Sequence, residues 1–249
     1  MKDLSWIQNN LIAHRGLYTK DQSVPENSLM AYQKALDKGY SIELDLNVLK
    51  DGTVLAFHDH TLKRACNDDR ALKDLNFEDV KNLTLFSSNE HIPTLKNVTD
   101  LVQGKAPLLI ELKPHGDVVF LCESMMKTMQ NYSGKWAVFS FHPKVVLWFK
   151  KYYPEVIRGQ ISEYFKTDKN MNSISKYLMR SMFFNRFTKP DFISYGIYDM
   201  PNKYIDLAMK KGITVISYAA RTQEQFEFVK SRYHNTVFEF FEPKIKGAR

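Results

Sequence analysis

Residues 27–59 read NSLMAYQKALDKGYSIELDLNVLKDGTVLAFHD, and this stretch decides the fold. Its opening, Asn27–Lys38, sets Leu29, Ala31, Tyr32, Ala35 and Leu36 at helical spacing. Gly39 follows, where a helix ends most easily in a left-handed residue. Ser41–Leu49 then alternates, with Ile42, Leu44 and Leu46 apolar and Glu43 and Asp45 between them. That is the pattern of a strand with one face in a core. Asp51-Gly52 separates it from a second β-like run, Val54–Asp59, and a two-residue Asp-Gly turn predicts a hairpin. In that register Asp45 faces His58 and Glu43 faces His60, so all four side chains project to one side. A slip of one residue would turn one strand's set to the other face.

The same helix-then-strand rhythm runs outward from this stretch. Eight β-like runs recur: Leu11–His14, Ser41–Leu49, Leu108–Lys113, Trp136–Phe141, Val156–Ile161, Phe192–Ile197, Thr214–Ala219 and Thr236–Phe241. Amphipathic segments lie between most of them: Asn27–Lys38, Val118–Asn131, Pro143–Tyr153, Pro201–Lys211 and Thr222–Arg232. A short helix is expected over Leu95–Val102. Strands alternating with helices predict an α/β fold with a parallel sheet, and eight such units predict a (β/α)8 TIM barrel. The β-hairpin and a small insertion, about residues 60–93, interrupt it after the second strand. The insertion reads as polar and irregular, with Asp68, Asp69 and Arg70 at its centre. No linker, low-complexity tract or internal repeat divides the chain, so residues 1–249 read as a single domain.

Composition narrows the function classes. Hydrophobic residues are 44% and charged residues 25% of the 249, which excludes a disordered or collagen-like chain. No apolar run approaches the roughly 18–20 residues of a membrane-spanning helix. Residues 1–10 lack the apolar core of a secretory signal. Two cysteines, Cys66 and Cys122, suit a reducing compartment, so a cytoplasmic protein is expected. The net charge of +7 admits anionic partners, but no zinc finger, RNA-binding aromatic motif or long Lys/Arg run is present. A nucleic-acid partner is therefore not expected, and the oligomeric state is left open.

Chemistry gathers where strands end, because a barrel builds its active site at the C-terminal ends of its strands. His14-Arg15-Gly16 closes the first run and offers a proton carrier beside a cationic fork for phosphate. In isolation a packed histidine beside a surface arginine explains it more simply. Glu43 and Asp45 point the same way; buried together they repel unless a proton or a cation intervenes. A hard divalent cation resolves that repulsion with oxygen ligands. Glu111-Leu112-Lys113 follows Leu108-Leu109-Ile110, and Glu111 is a natural third ligand with Lys113 on the same face. Taken alone, that pair reads as an ion pair. Pro25-Glu26-Asn27-Ser28 precedes the first helix, where Glu26 or Asn27 is a candidate cap. His91, His115, His142 and His234 have no matching partner in the sequence, and His60 is ambiguous.

Five short motifs stand in one order: His14-Arg15-Gly16, Pro25-Glu26-Asn27-Ser28, Glu43-Leu44-Asp45, Phe57-His58-Asp59 and Glu111-Leu112-Lys113. In that order and spacing the chain resembles the glycerophosphodiester phosphodiesterases. The resemblance implies a (β/α)8 barrel and one divalent cation, Mg²⁺ or Ca²⁺, held by Glu43, Asp45 and Glu111. It implies His14 and His58 as the acid–base pair, with Arg15 and Lys113 at the substrate phosphate and Glu26 and Asn27 in support. The activity implied is hydrolysis of a small-molecule glycerophosphodiester to glycerol 3-phosphate and an alcohol. The second half departs from the family pattern. Many members carry Trp-Thr-Val where this chain has Ser217-Tyr218-Ala219, and an Asp-Arg-Pro-like turn where it has Glu239-Phe240-Phe241-Glu242-Pro243. Tyr218 is the candidate aromatic wall in place of the tryptophan.

Residues 169–190 bear on substrate. They hold Lys169, Lys176, Arg180, Arg186 and Lys189, no acidic residue, and Tyr177, Phe183, Phe184 and Phe187 interleaved. Such a stretch is a candidate for peripheral contact with an anionic membrane, and with it a lysophospholipase D activity on lysophospholipids. The simpler reading is a barrel helix with its apolar face buried and its basic face wet. A catalytically silent phosphate-binding barrel is the reading from another class, and the full set of histidines and carboxylates speaks against it. A phosphoinositide-cleaving barrel also uses two histidines, but Glu111-Leu112-Lys113 and the chain length favour the first reading.

Overall fold

The computed structural model describes residues 2–245. In chain order the elements begin α1 (Ser5–Asn9), β1 (Ile12–Ala13), α2 (Leu29–Asp37), β2 (Ser41–Val48) and β3 (Val54–Ala56). The short helices α3 (Lys63–Cys66) and α4 (Phe77–Val80) precede α5 (Leu95–Val102), β4 (Leu108–Leu112), α6 (Val118–Met129) and β5 (Trp136–Ser140). Then come α7 (Pro143–Tyr152), β6 (Ile157–Ser162), α8 (Ser173–Arg180), α9 (Asn185–Thr188) and β7 (Phe192–Gly196). The chain closes with α10 (Lys203–Lys210), β8 (Thr214–Ala220), α11 (Gln223–Arg232) and β9 (Asn235–Phe238). With β3 set aside, the strands follow one another through the sheet in chain order. The fold is a (β/α)8 barrel, as the alternation predicts. All eight predicted strands are present, seven within one residue of the expected ends, while the last stops at Phe238, three residues short of the expected Phe241.

The chain divides into two compact units. Ala13–Ala137 is one, and the described residues before and after it are the other. In the first, β2 runs parallel to β4 with Asp45 beside Glu111 and Leu46 beside Leu112. Ile42, Leu44 and Leu46 are fully buried, and α2 and α6 pack on β2. Each such side chain contributes about 1.5–3 kcal/mol by leaving water. Glu43, Asp45 and Asn47 on the opposite face are buried as well, so this strand has no wet side. In the second unit, β6, β7, β8 and β9 are successive parallel neighbours. Ile193, Tyr195, Val215, Ile205 and Val229 form its core.

The hairpin exists, but its register is one residue off the predicted one. Leu46 pairs with Ala56, Asn47 with Leu55 and Val48 with Val54. The Leu49 amide donates to the Thr53 carbonyl at 2.9 Å, and the Gly52 amide to the Leu49 carbonyl at 3.0 Å. The loop is therefore three residues, Lys50-Asp51-Gly52, with Gly52 at φ +87°. That is a turn followed by a left-handed residue, the usual three-residue hairpin. Asp45 consequently lies opposite Phe57 instead of His58, and the Phe57 amide donates to the Asp45 carbonyl at 2.9 Å. His60 is exposed and does not join Glu43.

The insertion is less irregular than its polar sequence predicts. Leu62, Ala65, Leu72, Leu75, Val80, Leu85 and Ile92 are buried together in a small core with Leu49, Leu55 and Phe57 of the hairpin. The buried apolar face expected of the 169–190 stretch is met only in part, by Met182 in the core of the second unit. Helix α8 buries no residue, and Ile174, Tyr177 and Phe187 are exposed. Among the described residues, no helix is long and apolar enough to cross a membrane.

Candidate active site

The parallel pairing of β2 and β4 builds the centre of the site. It sets Asp45 beside Glu111, and Glu43, two residues earlier on β2, shares their face. One ligand atom from each of Glu43, Asp45 and Glu111 lies within 4.8 Å of the others, and all three side chains are buried. Among the described residues this is the one group that could hold a metal ion. Lys113 Nζ stands 2.7 Å from Glu111 Oε1 and 3.2 Å from Asp45 Oδ1. Arg15 Nε lies 3.1 Å from Asp45 Oδ2, and His14 Nε2 3.8 Å from Glu43 Oε2. The three carboxylates, two cations and one histidine expected from the motifs are thus brought together.

Electrostatics divide the two β2 carboxylates. Burial acts to raise the Asp45 pKa, but Lys113 and Arg15, with both histidines behind them, hold it well below the usual carboxylate range. Glu43 goes the other way: burial and the charge of Asp45 push it up, and His14 only partly relieves this. Burial alone would lower Lys113, yet Asp45 and Glu111 keep it raised, hence charged. Glu43 Oε2 accepts from the Arg15 amide at 2.9 Å, while its Oε1 is buried with no hydrogen-bond partner. A buried oxygen left unbonded is costly, so it is a candidate ligand atom. Three clustered carboxylates with such an oxygen fit a hard divalent cation.

The loop after β1 is shaped by its glycine. Gly16 sits at φ +78°, and a Cβ there would meet the Ala31 carbonyl carbon at 2.8 Å. Arg15 and Asn27 also hold left-handed backbone, at φ +52° and +55°. The Asn27 amide donates to the Arg15 carbonyl at 3.0 Å, tying the two together. Strained residues of this kind persist only where neighbours over-determine them. Asn27 Nδ2 donates to Asp45 Oδ2 at 2.9 Å, and Tyr32 Oη donates to Asn27 Oδ1 at 2.9 Å. The α2 cap is neither Glu26 nor Asn27 but Ser28, whose hydroxyl accepts from the Ala31 amide. Both candidates are thereby released for the site.

Further charged side chains brace Arg15 and His58 from behind. Glu26 Oε1 accepts from Arg15 at 2.7 Å and from Arg64 at 2.6 Å. Arg64 Nε donates to Asp59 Oδ2 at 2.7 Å, and Asp59 Oδ1 lies 2.5 Å from His58 Nδ1. His58 reaches this position although the hairpin register does not supply it. Asn47 Nδ2 donates to the Phe57 carbonyl at 2.7 Å, and its reach to the His58 and Asp59 carbonyls is 3.4 and 3.3 Å. Tyr32, Asn47, Asp59 and Arg64 were not assigned roles from the sequence. Asp59 was visible as the last residue of Phe57-His58-Asp59, whereas nothing local marks Arg64. His60 and His115 lie ring to ring at 5.3 Å. Burial, then His60 and Lys113, lower the His115 pKa to about 4.

Tyr218 belongs to the other unit. Its hydroxyl donates to Glu163 Oε2 at 3.1 Å, and its ring meets Phe141 edge to face at 5.8 Å.

The model of the glycerophosphoryl diester phosphodiesterase family matches residues 14–238. The chain belongs to this family. A glycerophosphodiester phosphodiesterase of Caldanaerobacter subterraneus is 35% identical over 133 residues, 49% of this chain and 53% of its own. Mouse glycerophosphodiester phosphodiesterase 1 is 32% identical over 147 residues, 54% of this chain and 43% of its own. The matched regions span about half the length of these curated relatives. An Oleispira antarctica phosphodiesterase, solved with the product sn-glycerol-3-phosphate, shares the fold with a TM-score of 0.78. It is 19% identical, with 94% of each chain covered.

Proposed function

We propose that this protein hydrolyses glycerophosphodiesters to glycerol 3-phosphate and an alcohol, with one divalent cation, Mg²⁺ or Ca²⁺, held by Glu43, Asp45 and Glu111. The observation that carries the reading is the meeting of these three buried carboxylates with Lys113, Arg15 and His14. A cation bound there supplies positive charge for the phosphate oxygens. Arg15 is a fork suited to phosphate and Lys113 a point charge beside it. His14 and His58 carry protons between the nucleophile and the leaving alkoxide. Asp59 fixes the ring orientation of His58 through Nδ1, as a carboxylate does for a catalytic histidine. Glu26 and Asn27 hold Arg15 and Asp45 in place. A cytoplasmic setting, expected from the two free thiols, belongs to the same proposal.

The test is release of glycerol 3-phosphate from glycerophosphocholine by chelator-stripped protein, with Mg²⁺ and Ca²⁺ restored separately and His58→Ala alongside. Metal-restored release that His58→Ala lacks is expected. No release with either ion would sink the soluble-diester reading, and choline release from lysophosphatidylcholine would then decide between the lysophospholipid reading and the silent barrel.

A second reading is favoured by α8. It buries no residue, exposes Ile174 and Tyr177, and lies in a stretch with five basic and no acidic residues. We infer that this surface lies on anionic membrane and presents lysophospholipids as substrates. Co-sedimentation with phosphatidylserine vesicles, lost when Lys169, Lys176, Arg180, Arg186 and Lys189 are neutralised, is the expected result. Equal sedimentation of both proteins would remove it.

A further inference from the structure

The proton and phosphate chemistry leaves unused a cluster in the second unit, at the ends of β5, β6 and β8. Phe141 follows β5, Glu163 and Phe165 follow β6, and Tyr218 lies near the end of β8. The Phe141 ring stands at 84° to Tyr218, with centroids 5.8 Å apart, and at 68° to Phe165, at 6.0 Å. Steep angles to both neighbours make the corner of a box and not a stack. Glu163 Oε2 accepts from Tyr218 Oη at 3.1 Å, which fixes the carboxylate against this corner. Gly196 on β7 permits the approach, since a Cβ there would meet Glu163 Cβ at 3.1 Å and Tyr218 Oη at 3.3 Å.

Glu163 is half-buried, and no cationic side chain pairs with it among the described residues. Lys166, three residues on, is engaged by Asp199 at 2.6 Å. Burial raises the Glu163 pKa, the Tyr218 hydrogen bond opposes this, and Asp199 and Asp168 add to the rise. A carboxylate among rings and like charges, in a chain of net charge +7, is short of a cation. A hard metal ion is a poor fit, because it takes several oxygen ligands and, among the described residues, no ligating triad forms here. A weakly hydrated organic cation is a good fit, because aromatic faces attract it and the carboxylate neutralises it.

We propose that Glu163, Phe141, Phe165 and Tyr218 form a binding site for a quaternary ammonium group, as carried by choline esters. This rests on the proposed phosphodiesterase reading only for the identity of the molecule that carries the ammonium. Calorimetric titration of the full chain with choline tests the site without turnover, and the neutral isostere 3,3-dimethylbutan-1-ol is the control. Choline is expected to bind at least about tenfold more tightly than the isostere, and Glu163→Gln and Tyr218→Leu to abolish that preference. Glu163→Gln keeps the shape and the Tyr218 hydrogen bond, so it remains informative if Tyr218→Leu does not fold. Equal binding of choline and isostere, or an unchanged preference in Glu163→Gln, overturns the site. Choline selectivity that depends on Glu163, with no diester hydrolysed, keeps the site and removes the phosphodiesterase reading. Hydrolysis without choline selectivity does the reverse.

Discussion

His58 Nδ1 and Asp59 Oδ1 lie 2.5 Å apart, and the other oxygen of Asp59 accepts from Arg64 Nε at 2.7 Å. Arg64 in turn shares Glu26 with Arg15. A single run of alternating charge therefore links His58, the proposed proton carrier, to Arg15, the proposed phosphate fork. Each link is a charge-assisted hydrogen bond, the stronger kind.

Asp59→Asn is expected to lower kcat about 10–100-fold on glycerophosphocholine with KM within about threefold, since it removes orientation and not phosphate binding. Burial acts to raise the Asp59 pKa, but His58 and Arg64 hold it well below the usual range. A depressed folded pKa gives stability that is present above the unfolded value and lost as pH falls through the folded one. Asp59→Asn is therefore expected to lower Tm at neutral pH, with the gap to wild type closing in acid. A constant gap across that range would count against this account.

Glu43 carries the opposite sign. Its folded pKa is raised, by burial and then by Asp45. Without metal, its contribution is fullest below the ordinary glutamate range and is lost as pH rises through the folded value. Glu43→Gln in chelator is thus expected to gain Tm relative to wild type at about pH 8 more than at about pH 5, while weakening Mn²⁺ binding at least about tenfold. Thermal melts and Mn²⁺ titration at the two pH values check both halves.

Gly16→Ala forces a Cβ to within 2.8 Å of the Ala31 backbone at φ +78°. A loss of about 2 kcal/mol or more in urea unfolding is expected. Gly52→Asn makes the useful contrast. Its φ is +87° and its nearest neighbour, Phe120 Cζ, is 3.5 Å away, so asparagine fits with a loss under about 1 kcal/mol.

Burial pushes the Cys122 thiol up to about 12 and the Cys66 thiol to about 11, the latter with help from Asp68. Both are protonated at pH 8, so slow labelling by a thiol reagent in the native protein is expected, and rapid labelling of both in denaturant. Fast native labelling of Cys122 would contradict its burial.

The strands were legible because most are short runs rich in apolar residues, as in Leu108–Leu112. The two carboxylates of β2 were legible because Glu43 and Asp45 interrupt an otherwise apolar run. The hairpin register was not. Asp51-Gly52 suits a two-residue turn, but Leu49 is buried and pairs with Thr53, which draws Lys50 into the loop. The core of the insertion escaped notice because α3 and α4 have four residues each, too few to show a helical period. Arg64 was invisible for another reason: its partners Glu26 and Asp59 are 38 and 5 residues away, and only the fold joins them.

The inner group of Glu43, Asp45, Glu111, Arg15 and Lys113 has a consequence for turnover. Fully ionised, three carboxylates against two cationic side chains leave one surplus negative charge. Under the proposed function, a divalent ion held there would turn that to one positive charge, which a phosphodiester monoanion would cancel. A phosphomonoester product, approaching a dianion at neutral pH, would be drawn by the same charge at least as strongly as the substrate. The charge balance of this group therefore favours holding the product, and makes its departure the candidate slow step of turnover.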